Sequence, residues 1–222
     1  MPKVVDHAER RAEVLEATWR VIARNGIEGT TTREIARESN CSTGVLAHYF
    51  KDKDEILRLA LDFAHDKLRG RLRELHQQFS GVLLLRAVLA ELLPIDSGRQ
   101  LDVTLEVSFW GRAVAQSSLR ESEHLDTDRW HARIRDLLIG SMEAGELPDS
   151  LDPDRTASAL VCFVDGLGVH SLLYPERFGP AEVEALLDGQ LRLLGADTSA
   201  FPKLIRRNRR TVPARGTRKA TS

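Results

Sequence analysis

Between Thr31 and Lys53 the chain carries side chains suited to binding phosphate oxygens and base edges: Thr32, Arg33, Ser42, Thr43, His48, Tyr49 and Lys53. Hydroxyls, a guanidinium, an imidazole and an ammonium all reach such acceptors. Contacts to phosphate set register and affinity, and contacts to base edges set sequence preference. Thr43, Val45 and His48 are the candidates for reading bases, with Arg33 able to reach a base edge or a phosphate. Thr32, Tyr49 and Lys53 suit phosphates. Gly44 costs helix propensity, and either close backbone approach to a groove or tight helix packing accounts for it.

The elements that must position these residues are short and individually signed. Val14, Ala17, Thr18, Val21 and Ile22 recur on one helical face, predicting a helix from about Asp6–Ala8 that stops at Asn25-Gly26. Thr31 stands three residues before Glu34, a capping-box spacing. It opens a helix over Thr32–Glu38 with Ile35 and Ala36 inward. Ser39-Asn40-Cys41 makes a turn, since Asn tolerates positive φ. Ser42 caps a helix over Thr43–Tyr49, which Leu46 and Phe50 anchor. Asp52 or Asp54 starts the next one. Two short helices behind an amphipathic one form a helix-turn-helix, whose second helix is sized for a DNA major groove.

At these residues the stretch resembles the DNA-binding domain of TetR-family transcriptional regulators. Gly26, Ile27, Thr31, Ile35, Ala36, Ser42, Gly44, Leu46, Tyr49, Phe50 and Lys53 stand at the family's motif positions. Asn40 replaces the usual turn glycine, Cys41 a small aliphatic residue, and Ala47 an aromatic that commonly touches phosphate. The match covers about a quarter of the chain. Farther on, LEVSFWGRA, WHARI and LDPDRTASALVCFVDGL are similar to the BetI-type subgroup. The resemblance implies a repressor that binds a palindromic double-stranded DNA operator as a homodimer and is released by a small-molecule effector. The effector itself stays unidentified.

With 222 residues, 42% hydrophobic and 29% charged, the chain is long enough for a substantial core. The net charge of −1 hides a division. Residues 1–53 are near neutral, the middle is acidic, and Lys203, Arg206, Arg207, Arg209, Arg210, Arg215, Arg218 and Lys219 make a tail with no acidic residue. Pro202, Pro213 and Gly216 predict that 201–222 is a disordered basic tail. Nonspecific attraction to DNA phosphates and simple solubilisation account for it equally. No uninterrupted apolar run approaches a bilayer-spanning length, and no signal-peptide pattern precedes the first helix. The expectation is a cytoplasmic protein with no membrane partner.

The remainder reads as all-α, giving about nine helices in total. A long helix runs from Asp54 through Leu75, then others over Gly81–Leu93, Gln100 to about Leu119, about Asp126–Ala144, Asp152-Pro153 to about Leu173, and Pro180–Leu194. The expected organisation is a helix-turn-helix domain over 1–53, a helical effector-binding and dimerisation domain over 54–200, and the tail. Leu167, Leu172, Leu173, Leu186, Leu187 and Leu194 supply apolar stripes in the last two helices. Packing within a subunit and a four-helix dimer interface both use such stripes, and the resemblance favours the interface.

Phe109, Trp110 and Trp130 are candidates for lining an effector pocket, as core or as surface for an apolar or cationic ligand. Asp165 and His170 sit in an apolar helix, where an unpaired charge is costly. Pocket lining, pairing across a dimer and exposure at its edge all remain open for them. His124 and His131 lack the carboxylate partners of a metal site, so no metal and no cofactor are expected. No catalytic motif stands out, which excludes nothing but favours no enzyme. The competing reading is a DNA-organising protein that binds without sequence preference and without an effector.

Overall fold

The computed structural model describes residues 7–115, 117–199 and 201–204, and among these residues every regular element is a helix. In chain order they are α1 (His7–Gly29), α2 (Thr32–Glu38), α3 (Thr43–Tyr49), α4 (Lys53–Gln78), α5 (Gly81–Glu91), α6 (Ser97–Ala115), α7 (Ser117–Glu143), α8 (Pro153–Leu173) and α9 (Pro180–Leu193).

The local signals act as their chemistry requires. Thr31 accepts from the Glu34 amide while Glu34 accepts from the Thr31 amide, closing the capping box. Ser42 caps α3 through the Val45 amide, and Asp52 caps α4 through the Glu55 amide. Asn40 takes φ 51° between α2 and α3. Several boundaries differ from the sequence reading, among them α6, which spans Ser97–Ala115 where Gln100 to about Leu119 was expected. Gly26 breaks α1 at φ 69°, ψ 170°, but helical backbone resumes to Gly29. Helix α7 begins at Ser117, well before Asp126, because the sequence there offers no apolar stripe to read.

Three apolar clusters organise the packing. The first joins α1, α2, α3 and α4 through Val14, Leu15, Ile35, Ala36, Leu46, Phe50, Ile56 and Ala60. The second joins α1, α4 and α6 through Ile22, Leu57, Leu61, Ala64, Leu105 and Phe109. The third and largest binds α5, α7, α8 and α9 around Leu85, Leu89, Leu138, Leu160, Val164 and Leu187. The boundary expected at residue 53 is therefore bridged by core: α4 belongs to all three clusters.

By length and composition alone α8 could cross a bilayer, although Asp165 and the small residues of the helix leave no uninterrupted apolar run in the sequence. In the fold one face of α8, including Ala157, Leu160, Val161, Val164 and Leu167, is buried in the core. Leu167 and Leu187 thus point into their own subunit, away from the surface stripe expected of them. Leu172, Leu186 and Leu194 are half-buried, Leu173 is exposed, and Tyr174 and Leu193 join them on the surface.

The segment after α9 also differs from expectation at its start. Phe201–Leu204 lies against a buried guanidinium, that of Arg86 on α5. Arg86 donates to Asp188 at 2.5 and 2.9 Å, to Glu184 at 3.0 Å and to the Pro202 carbonyl at 2.8 Å. The Phe201 ring stacks 4.9 Å from its centre, and the Leu204 amide donates to Glu184. The rest of the basic tail, 205–222, lies outside the described residues, as does the side chain of His124.

Arg86 is 2% exposed, so removing it strands two carboxylates beside an apolar core. Arg86→Ala is expected to destabilise the protein by about 3–5 kcal/mol, read from urea unfolding at fixed protein concentration. A loss below about 1 kcal/mol would show that the cluster is solvated.

Candidate nucleic-acid interface and helical cavity

The second short helix is held by what it buries. Leu46 and Phe50 are 2% and 3% exposed, fixing α3 against α1 and α4. Thr43, Gly44, Ala47 and His48 are therefore exposed, while Val45 and Tyr49 are half-buried. Gly44 has open space around it, its nearest neighbour to an added Cβ being its own cap Ser42 at 3.7 Å. Tight helix packing does not require that glycine. Thr32 and Arg33 are exposed at the start of α2, Ser42 at the start of α3, and Lys53 is half-buried at the start of α4. These residues stand at the starts of α2, α3 and α4.

Much of the positive charge around this surface is internally engaged. Arg10 donates to the Ser39 and Asn40 carbonyls at 3.3 and 3.2 Å, bracing the turn from α1. Glu38 accepts from Arg24 at 2.6 Å and from Arg20 at 3.0 Å. Those bonds, Arg24 first, hold the Glu38 carboxyl below its usual range. The Thr31 hydroxyl does the same for Glu34.

A second feature lies between α4, α5, α6, α7 and α8. These helices line a cavity of about 100 Å³ that is partly open to solvent. Its apolar wall comes from Leu61, Ala64, Leu68, Leu92, Val103, Val161 and Val164, and its aromatic surface from Trp110 and Trp130. Four carboxylates complete it: Glu91, Asp102, Glu106 and Asp165. His65 Nε2 lies 3.0 Å from Glu106. Arg71 bridges Glu91 at 2.6 Å and Asp102 at 2.8 Å, and Arg99 also pairs with Glu91. Burial, followed by the neighbouring charge of Glu106, pushes Asp165 up to about 6. Burial also raises Asp102 despite Arg71 beside it.

Of the pocket residues expected from sequence, Trp110, Trp130 and Asp165 stand on this cavity wall. Phe109 does not: it is 4% exposed and packs with Ile22, Leu57 and Leu105 where α1 meets α6. Adjacent residues on a helix face about 100° apart, so only one of Phe109 and Trp110 can face the cavity. His170 also stands elsewhere, exposed near the end of α8 beside the Tyr174 and Phe178 rings. His65, Glu91, Asp102 and Glu106 were not anticipated. Charged residues on an amphipathic helix read as its solvated face, and only the assembly of five helices turns them inward.

A short capped helix at the start of a chain whose described elements are all helices, with a carboxylate- and tryptophan-lined cavity farther along it, is the architecture of a helix-turn-helix regulator with a second helical region. Comparison with known proteins agrees. Residues 84–196 match the family profile described as the BetI-type transcriptional repressor, C-terminal, and residues 14–60 match the bacterial regulatory proteins of the tetR family. The HTH-type transcriptional regulator PksA of Bacillus subtilis is 30% identical over 188 residues, covering 84% of this chain and 90% of that protein. The HTH-type transcriptional regulator BetI of Paraburkholderia phymatum is 29% identical, covering 90% and 100%.

Solved structures give the same answer. A transcriptional regulator from Rhodococcus sp. Rha1 superposes with a TM-score of 0.73 at 29% identity, covering 84% of this chain and 97% of that one. A regulator from Saccharomonospora viridis, solved in complex with choline, gives 0.73 at 25% identity, covering 83% and 96%. This chain belongs to the TetR family of DNA-binding transcriptional regulators, with a helical region of the BetI repressor type.

The raised Asp165 fixes a pH dependence. A carboxyl with a higher pKa folded than unfolded favours folding below its unfolded value and loses that advantage as pH rises through about 6. Asp165→Asn should therefore match the parent protein near pH 4. It should exceed the parent in stability by on the order of 1–3 kcal/mol above pH 6.5. Urea midpoints across that range measure the difference, and a constant offset would refute burial as its cause.

Proposed function

We propose that this chain is a repressor that binds a palindromic operator as a homodimer and releases it when a small organic cation occupies the helical cavity. The observation that carries the ligand class is the cavity wall itself, which combines two tryptophans with four carboxylates. Aromatic faces and carboxylates together suit a weakly hydrated cation, through cation–π attraction and charge. An apolar effector gives no use for Asp165, which has no hydrogen-bond or ion-pair partner assigned among the described residues. The choline bound by the Saccharomonospora viridis relative belongs to this ligand class.

On this reading residues 1–53 are the DNA-binding domain and 54–200 the sensing and dimerising domain. Thr43, Val45 and His48 read base edges. Thr32, Ser42, Tyr49 and Lys53 hold phosphates, Arg33 reaches either, and Gly44 lets the backbone of α3 approach the groove. The exposed ends of α8 and α9, with Leu172, Leu173, Leu186, Leu193 and Leu194, supply the two-fold interface. Such symmetry places two α3 helices one helical turn of DNA, or a multiple, apart. The protein works as a soluble cytoplasmic regulator and needs no catalysis.

Genomic fragments retained by the purified protein should yield one palindromic sequence, protected as a discrete footprint; uniform coating of DNA would defeat the repressor reading. On that operator the Tyr49→Ala, Lys53→Ala double variant should bind all sequences more weakly and show a shallower salt dependence. Substitutions at Thr43 or His48 should instead change base preference.

Choline should release the wild-type protein from the operator, while its uncharged tert-butyl isostere should not. Trp110→Ala, Trp130→Ala and Asp165→Asn should each weaken choline binding about tenfold in calorimetry. Equal binding of choline and the isostere would show an apolar pocket, not a cation site.

A further inference from the structure

The helix that carries the DNA-binding unit, α4, itself lines the cavity, and its Arg71 ties two of the wall's carboxylates to it. Arg71 sits on α4, 18 residues after Lys53, and bridges two other helices. Its Nε donates to Glu91 on α5 at 2.6 Å, and a terminal nitrogen donates to Asp102 on α6 at 2.8 Å. Glu91 and Asp102 are 4% and 18% exposed in their side chains, while Arg71 is 35% exposed. Both carboxylates line the cavity and Arg71 does not. Arg71 thus stands behind the wall and holds it to α4.

The bonding of the two carboxylates is uneven. Glu91 also pairs with Arg99. Asp102 has only Arg71 as an ion-pair partner among the described residues, and its Oδ1 is buried with no hydrogen-bond partner. An acceptor left bare in the interior is costly and gains from any positive charge brought near.

We propose that Arg71 is the residue that couples the cavity to operator binding: its bridge to Glu91 and Asp102 holds α4 in the DNA-competent position, and a cation in the cavity loosens that bridge. The inference rests on the cation-responsive reading given above. A cation entering beside Asp102 and Glu91 screens them from Arg71 and repels the guanidinium, so one charge replaces the other. Freed of that tie, α4 is held to the cavity wall by apolar contacts and by the His65–Glu106 pair. By linkage, the operator-bound protein then takes up the cation more weakly than the free protein, by the same factor.

The test removes the bridge without leaving an isolated buried charge. In the Arg71→Gln, Asp102→Asn double variant, Glu91 keeps Arg99 as its partner. Dimer content and the thermal midpoint are checked first, with Arg71→Lys as a milder variant that retains the charge but cannot form the two-pronged bridge. With no ligand present, the double variant should bind the selected operator at least tenfold more weakly than wild type. Added choline should then weaken it by less than twofold further, and Arg71→Lys should fall between.

Wild-type operator affinity in the double variant overturns the proposal. So does a weakened variant that still shows the full wild-type response to choline, since Arg71 is then structural only. If calorimetry finds no choline binding to wild type while the ligand-free loss occurs, the latch stands and the cation reading fails. If wild type selects no operator, the repressor reading fails and the latch falls with it.

Discussion

The structure depends on the packing of α4 against α1 at one end and against the cavity helices at the other. At 26 residues, α4 is about 39 Å long at 1.5 Å per residue. Ile56 and Ala60 fix it to the helix-turn-helix cluster, Leu57, Leu61 and Ala64 to α1 and α6, and Leu68 and Leu72 to the large core. A close-packed interior deforms little, so a shift at one end of such a rod is felt at the other. Phe109 matters here because it is absent from the cavity. It fills the joint between Ile22 and Leu57, where α6 bears on both α1 and α4.

How much of this was legible in the sequence varies with how local each signal is. The bounds of α2 and α3 were readable to the residue because Thr31, Glu34, Asn40 and Ser42 act within one turn of themselves. The start of α7 was not, because SSLRESEHLD has no apolar stripe to set a helical period. The cavity lies between these extremes. Trp110, Trp130 and Asp165 stood out by residue type, whereas Glu91 and Asp102 look in sequence like the polar faces of ordinary helices. His170 follows Asp165 by five residues, which at about 100° each places it roughly 140° around the helix. Shared occupancy of α8 therefore could not put both on one wall. Leu167 and Leu187 misled for a related reason, since apolar periodicity marks a buried face without saying which neighbour buries it.

Charge in the N-terminal unit shows a similar economy. Arg10 braces the turn and Arg20 and Arg24 hold Glu38, so three cations beside the proposed DNA surface already serve the fold. On the proposed reading, Arg33 and Lys53, with the amides and hydroxyls at the helix starts, are the phosphate-facing groups. Binding through so few charges leans on symmetry, since two subunits on one operator add their contacts.

Asp165 limits how a cation can act on this cavity. Alone, it can lower the cost of its burial by taking a proton, as its rise to about 6 reflects. A bound organic cation relieves the same cost while the carboxylate stays charged, so proton and ligand compete for one site. Ligand affinity must then fall as pH drops below about 6. The same competition separates a cation from a neutral guest. A neutral molecule of equal size would shield Asp165 from water without supplying charge, raising its pKa further and binding better in acid. The direction of the pH dependence thus follows from the charge of the ligand, because the carboxylate is half-buried and has no ion-pair partner among the described residues.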